Sequence, residues 1–385
     1  MTAETAKKAS QRLCDEVIAK GMCVLCGACV GQCPYFHINR IRGTIQRIDP
    51  CDLEEGQCYL RCPRTYTDFD ALYRMIFGVP YDEDKLGVGI VREIFLARST
   101  DPDILEKAQD GGVVSALLLT ALNEGMIDGA VETRMDENKS PRGYLAKSKK
   151  ELIECAGNSY EPSASLEVLN RIPEESDMKL GVVGLPCQVL AVAKMRMHHF
   201  PNRVSMDHVR LVLGLFCGWS LSPGVFHRFL QEKFDLKEVV KFDIPHHPAH
   251  SFDLYTSNGK ESIDLEEIRQ FINPSCQYCL DMTSQFADIS VGSGRAKFRG
   301  WNTVIVRTEI GTKIIEMARK RGMVKTKPIP EESVHHLRKA AMNKMKRAAA
   351  VIEERTGSHD DPGYFHIDPR VLERLRDDVD AQQKT

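Results

Sequence analysis

The stretch Cys23-Val24-Leu25-Cys26-Gly27-Ala28-Cys29-Val30-Gly31-Gln32-Cys33-Pro34 organises the chain. Its cysteines recur at spacings of three, three and four and close on proline, the run that holds a [4Fe–4S] cube. Three thiolates on one tight loop bind three irons of one cube, and in two-cluster proteins the fourth, before proline, crosses to the other cube. The competing reading, a four-cysteine zinc site, uses two separated cysteine pairs rather than one continuous run. Single-electron chemistry is therefore the expectation, and the remainder of the chain has to supply a source and a destination for the electrons.

A second, irregular run follows: Cys51-Asp52-Leu53-Glu54-Glu55-Gly56-Gln57-Cys58-Tyr59-Leu60-Arg61-Cys62-Pro63. Its close matches the end of a cluster run, but Glu54 stands where a middle cysteine belongs. The spacing assigns Cys23, Cys26 and Cys29 to one cube, with Cys62 crossing over to it. Cys33, Cys51 and Cys58 would hold a second cube that lacks an obvious fourth thiolate. A Glu54 carboxylate, a three-iron cluster and a missing second cluster are all open; the absence of another role for Cys51 and Cys58 favours a second cluster.

The chain has 385 residues, 42% of them hydrophobic and 28% charged, with net charge −2. That length suits two or three domains with cores of their own. The near-neutral balance argues against nucleic acid or an anionic membrane as the main partner. Thirteen cysteines would fit a secreted disulfide scaffold, but Met1 to Lys8 shows no apolar signal region, so reduced cytoplasmic thiols on clusters are expected. The most apolar stretch, Val113 to Leu122, is broken by Ser115 and Thr120 and is too short to span a bilayer. Any work at a membrane would be peripheral.

Residues 1–20 read as an amphipathic helix with Ala6, Leu13, Val17 and Ile18 near one face and Cys14 as a small buried hydrophobe. From Val91 an α/β rhythm begins. Glu93 to Arg98 and Ile127 to Glu132 read as strands, and between them Gln109-Asp110-Gly111-Gly112 turns into the apolar helix Val113 to Glu124, whose free N–H groups suit an anion or a carbonyl. Lys179 to Gly184 reads as a strand, Leu185-Pro186-Cys187-Gln188 as its turn and Val189 to Met197 as a helix; Val209 to Phe216 reads as a further strand that Cys217-Gly218 ends, before a helix from Ser222-Pro223 through Phe234. Ligands gather beyond the carboxyl ends of such strands. With Cys276-Gln277-Tyr278-Cys279, these thiols complete a four-cysteine set, read as a further [4Fe–4S] cluster with zinc as the alternative. Cys155 is left as structural. Gly292-Ser293-Gly294 with Arg295, Lys297 and Arg299 reads as a turn suited to a phosphate or carboxylate tail. It is not a dinucleotide fingerprint, because Lys297 stands where the third glycine belongs. His246, His247 and His250 read as surface residues, 331–356 as a basic helix and 357–385 as a polar tail; helix or tail could dock a partner.

The region from about Val91 to Gly322 resembles the beta-subunit family of coenzyme F420-reducing hydrogenases and dehydrogenases. Ala108-Gln109-Asp110-Gly111-Gly112, Leu185-Pro186-Cys187-Gln188, Cys276-Gln277-Tyr278-Cys279 with Ala287-Asp288, and Gly300-Trp301-Asn302-Thr303-Val304-Ile305 carry the resemblance. It implies a flavoprotein that binds FAD and a [4Fe–4S] cluster and exchanges hydride with coenzyme F420, the cluster resting on Cys187, Cys217, Cys276 and Cys279. It places FAD near Gln109, Asp110, Gly111 and Gly112, near Tyr160 and Ser163, and near Gly292, Ser293, Gly294, Arg295, Lys297, Trp301 and Asn302. The cysteine module ahead of this region is similar to that of the electron-input subunit of F420H2 dehydrogenase. The expected fold is α/β: a ferredoxin-like iron–sulfur module over 1–70, a linker over 71–90, a mixed α/β flavoprotein domain over 91–330 and a C-terminal helix and tail over 331–385. The implied partner is a redox protein, in a membrane-bound dehydrogenase complex or a soluble hydrogenase or reductase assembly. The rivals are an electron-transfer subunit without flavin, an NAD(P)H-linked reductase, and the same flavin fold acting on another organic substrate.

Overall fold

The computed structural model describes residues 8–173, 176–198, 206–245, 249–356, 365–367, 370–371 and 373–375. Ala6, His246, His247 and most of the 357–385 tail lie outside the described residues. In the N-terminal lobe, the helix Ala9–Leu13 continues as a wider helical turn, Cys14–Ile18, and buries Leu13 and Val17. A hairpin of β1 (Phe36–Asn39) and β2 (Thr44–Arg47) closes the loop that carries the first cysteines. Residues 71–90, expected to link two domains, are packed instead. After β3 (Thr67–Asp68), helix Phe69–Phe77 buries Leu72 and Tyr73 in the main core, capped by Asp68 through the Ala71 N–H and ended by Gly78 in the left-handed region.

The body is built on β4 (Glu93–Ser99), β5 (Gly129–Met135), β6 (Pro141–Ala146), β7 (Leu180–Gly184) and β8 (Val209–Leu215). A separate antiparallel sheet holds β9 (Val239–Asp243), β10 (Ser251–Thr256) and β11 (Gly259–Asp264). The chain then returns through β12 (Ile289–Ser293), β13 (Asn302–Val306) and β14 (Val324–Lys327), and β15 (Phe365–His366) pairs with β3. The eight-stranded sheet has the order β14-β4-β13-β12-β8-β7-β5-β6. Pairs β5/β7, β7/β8 and β8/β12 are parallel; β5/β6, β12/β13, β4/β13 and β4/β14 are antiparallel.

The central strands are apolar on both faces because helices cover both faces. Along β8, Leu211 and Leu213 join one apolar cluster and Val212 the other, the alternation a strand imposes. Helices Val113–Asn123 and Glu309–Lys320 pack with the first cluster, and helices Phe69–Phe77, Pro186–Met197 and Glu331–Thr356 with the second. Asp288 fixes the register between β8 and β12: its carboxylate accepts from the Val212 N–H (2.7 Å) and the Thr308 hydroxyl (2.6 Å).

The glycine-rich segment differs from its expectation as a turn. Gly292 lies inside β12, and the turn begins only after it. A Cβ on Gly292 would fall 2.0 Å from the Phe216 ring, so glycine there lets an aromatic ring lie against the strand rather than letting the chain turn.

Candidate functional site

The first cysteine loop is pinned to the body. Asn170 donates from Nδ2 to the carbonyls of Gly27 (3.2 Å), Ala28 (3.1 Å) and Val30 (2.7 Å), and its Oδ1 accepts from Gln32 Nε2 (2.9 Å). Gly27 has φ +85°, and a Cβ there would meet Ala164 O at 2.7 Å; the loop needs both the backbone freedom and the space. Within it, Cys23, Cys26, Cys29 and Cys62 share one neighbourhood. Burial pushes the Cys23 thiol up to about 11, with Cys62 adding to the effect. Burial likewise raises Cys26, with Cys62 and Cys23 adding, and Cys29, with Cys23, Cys26 and Cys62 adding. Each of these thiols is harder to ionise because the others stand close by, the effect expected of thiols gathered in one place.

The second run gathers three thiols. Burial raises Cys58 to about 12, and Cys33 and Cys51 add to it. Glu54 does not join them: its exposed carboxylate pairs with Lys8 at 3.2 Å. Cys14 faces Arg47 and Asp15 instead.

The four late cysteines come from three distant segments. Pro186 opens helix Pro186–Met197, and the Gln188 side chain accepts from the Leu185 N–H (2.8 Å), so Cys187 sits in the first helical turn at the end of β7. Cys217 follows β8, and its N–H donates to Met282 O (2.9 Å). The helical turn Pro274–Tyr278, capped by Asn273, presents Cys276, whose sulfur meets the Ser220 N–H (3.3 Å). Cys279 Sγ lies 3.2 Å from Asp281 O. These thiols feel one another. Burial raises Cys187, with Cys279 and Cys217 adding, and pushes Cys217 up to about 12, with Cys276 and Cys279 adding. Cys279 moves the other way: burial opposes ionisation, but the charges of Lys344 and Arg64 outweigh it and draw the thiol below the ordinary range.

Arg64 stands between the early and late sets. It is buried, donates to Ser275 O (3.1 Å), and acts on Cys23 and Cys26 as well as on Cys187 and Cys279. Cys26 and Cys187 belong to the same apolar cluster. Among the described residues, no three His, Cys, Asp or Glu side chains are grouped closely enough to hold a single metal ion. A cube takes one thiolate at each of four irons and so needs a wider set than one ion does.

A cleft of about 1480 Å³ opens on the other side of Cys217, larger than the roughly 300–1,000 Å³ of an ordinary small-molecule site. Gln109, Asp110, Gly112, Tyr160 and Ser163 line it, as do Gly292, Ser293 and Asn302. The start of helix Val113–Asn123 faces it, and Asn302 ties that start to the sheet: its Oδ1 accepts from the Val113 N–H (3.2 Å) and its Nδ2 donates to Gly292 O (3.1 Å). Gly111 packs against Asn302, where a Cβ would fall 2.8 Å from Oδ1. Gln109 Nε2 bonds Asp243 on β9, and its Oε1 is a buried acceptor without a partner. Tyr160, at φ +57°, accepts the Ile244 N–H at its hydroxyl (2.8 Å) and the Leu221 N–H at its carbonyl (2.8 Å). Ser163 pairs with Thr133 through their hydroxyls and accepts from Gln188 Nε2 at its carbonyl (2.8 Å). The LPCQ motif thus joins the thiol set to the cleft wall.

Gly294, Arg295, Lys297 and Trp301 are not among the cleft-lining residues. Lys297 pairs with Glu332 (3.0 Å), and Trp301 lies under the Lys327 ammonium at 4.0 Å. Sequence reasoning missed Glu132 on β5, a cleft residue with a buried side chain whose Oε1 has no hydrogen-bond partner. Burial pushes its carboxyl up to about 8. Asn170, Lys194 and Lys344 were missed as well; only the tertiary fold gives them their roles.

The fold and the site define a class: a mixed α/β body with a cofactor-sized cleft lined by Cys217, one member of a four-thiol set. Residues 94–170 match the N-terminal part, and residues 177–332 the C-terminal part, of the family described as coenzyme F420 hydrogenase/dehydrogenase, beta subunit. The coenzyme F420 hydrogenase subunit beta of Methanothermobacter thermautotrophicus is 35% identical over 248 residues, 63% of this chain and 87% of that protein. An F420H2 dehydrogenase subunit of Methanosarcina mazei is 32% identical over 322 residues, 82% of this chain and 87% of that one. A chain solved in the F420-reducing [NiFe] hydrogenase complex of Methanosarcina barkeri aligns with a TM-score of 0.65 at 32% identity, covering 72% of this chain and 96% of its own length. The chain belongs to the coenzyme F420 hydrogenase/dehydrogenase beta-subunit family.

Proposed function

We propose that this chain is an iron–sulfur flavoprotein subunit that accepts hydride from reduced coenzyme F420 and delivers electrons singly, through [4Fe–4S] clusters, to a redox partner, in a reversible reaction. The observation that carries the reading is the mutual proximity of Cys187, Cys217, Cys276 and Cys279, one of which, Cys217, lines the cleft. The names of the relatives supply coenzyme F420 as the substrate. When bound, FAD converts a hydride pair into single electrons, which F420 alone does poorly.

The residues divide the work. The Gln109–Gly112 loop, the start of helix Val113–Asn123 and Asn302 would hold the flavin, with the positive end of that helix at the cleft. Gln109 Oε1 and Glu132 Oε1 are buried acceptors in need of a partner, a need that a polar ring system in the cleft would meet. The Cys187 set would take electrons from the cleft, and the Cys23, Cys26, Cys29 and Cys62 set would take them onward past Arg64. Cys33, Cys51 and Cys58 would hold a further cluster nearer the surface. The partner is a redox protein of a dehydrogenase, hydrogenase or reductase assembly. Among the described residues no helix is long and apolar enough to cross a membrane, so an assembly at a membrane would bind this chain peripherally.

The test is anaerobic purification, FAD and iron determination, and viologen-dye reduction with F420H2 and with NADH. The expected result is bound FAD, cluster iron, and dye reduction by F420H2. Dye reduction by NADH alone overturns the substrate, and cluster iron without FAD makes the chain an electron-transfer subunit.

A further inference from the structure

The C-terminal helix Glu331–Thr356 lies almost wholly beyond the family match, which ends at 332. It packs Leu337, Ala341, Met345, Ala348 and Ile352 into the body at helical spacing. Lys344 belongs to that buried face and is 6% exposed. An ammonium in such a position is costly unless something offsets its charge.

What surrounds Lys344 is the late thiol set. Its Nζ donates to the carbonyl of Cys217 (2.7 Å). Cys279, Cys217, Asp281 and Cys276 are the groups whose charges reach it. Asp281 spends its carboxylate on the N–H groups of Thr283 (2.8 Å) and Gln285 (2.7 Å). Lys194, the other buried lysine near cysteines, differs: its Nζ is caged by oxygens of Cys62, Thr65, Tyr66 and Thr67, the role of a structural clamp.

We propose that Lys344 is a positioning residue that sets the reduction potential of the cluster held by Cys187, Cys217, Cys276 and Cys279, as a fixed positive charge inserted from the C-terminal helix. The inference rests on reading those four thiols as a cluster site. One-electron reduction adds one negative charge to the cluster beside the Lys344 ammonium. A fixed cation in a low-dielectric site stabilises the more negative, reduced form.

The experiment is a dye-mediated EPR redox titration of the full chain, purified anaerobically, with iron determination. Cys276→Ala, which leaves no ligand atom, identifies the signal by abolishing it; loss of no iron in Cys276→Ala defeats the cluster reading itself and is seen before any lysine variant is made. In Lys344→Met, with iron retained, the equilibrium constant for reducing that cluster is expected to fall tenfold or more, about 59 mV more negative per tenfold for one electron. Lys344→Arg is expected to return it to within about threefold of wild type, since the charge is kept. An unshifted potential in Lys344→Met overturns the proposal. If that variant loses the cluster, Lys344→Gln, which keeps a donor for Cys217 O without the charge, is titrated by the same criterion. Cluster loss in both neutral variants with retention in Lys344→Arg supports the role of the charge; loss in Lys344→Arg as well overturns it.

Discussion

Asn170 shows how much one side chain can decide. Its amide satisfies three carbonyls of the first cysteine loop, those of Gly27, Ala28 and Val30. Removing it leaves those acceptors short of a partner at a cost of about 1–3 kcal/mol. Asn170→Ala is therefore expected to lower the denaturation midpoint and to reduce the iron retained by the protein, both read on the purified variant. Glu132 makes a prediction in pH. Its carboxyl is raised from 4.5 to about 8 by burial alone, so between those values the folded state holds a proton that the unfolded state has lost. Stability is then highest below that window, falls as pH rises through it, and levels off above it. Glu132→Gln is expected to remove this slope and to be the more stable protein at the upper end, by urea titration across the window; an unchanged slope places the titration elsewhere.

At the scale of elements, the junction between helix Val113–Asn123 and the β12/β13 pair determines the cleft. Asn302, the first residue of β13, binds both partners, and Gly111 and Gly292 leave room for it and for Phe216. Asn302→Ala is expected to cost about 1–3 kcal/mol for the unpaired Val113 N–H and Gly292 carbonyl, and to lower flavin content per chain. A variant that loses stability but keeps its full flavin would separate Asn302 from the flavin site. Elements were legible to different degrees. The spacing of apolar residues foretold β4, β7 and β8 closely; β7 and β8 are central parallel strands, which read as apolar runs. The hairpin strand β6 and the β9–β11 sheet left weaker signals, because antiparallel strands with one wet face carry polar and charged residues, as in Gly259–Asp264. Pro186 at the first helical position was a readable signal that the helix begins ahead of Cys187 rather than after Gln188.

Across the whole molecule, two sets of four thiols are neighbours through Cys26, Cys187 and Arg64. Under the proposed function, loss of either set breaks the electron route at a different place. Cys276→Ala and Cys26→Ala are each expected to remove the iron of one cluster while leaving the other cluster's EPR signal. F420H2 should still bleach the flavin in both variants, but dye reduction should fall at least tenfold. Unchanged dye reduction in Cys26→Ala would mean that electrons leave the chain at the late set. The C-terminal helix, one of the two elements that could dock a partner, buries one face in the body and leaves only its other side for such a contact.

The sequence by itself determined which cysteines share a loop, because that depends only on local spacing: Cys23, Cys26 and Cys29 lie on one short loop wherever it packs. It also carried the motifs that mark the family. Only the tertiary structure decided which distant residues meet. Cys187, Cys217, Cys276 and Cys279 converge because β7, β8 and the turn at Pro274–Tyr278 are brought together by strand pairing and by Ser220, while Lys344 arrives from a helix more than sixty residues further on. Such meetings are set by long-range packing, in which a buried charge or a missing Cβ acquires meaning only from the neighbours that surround it.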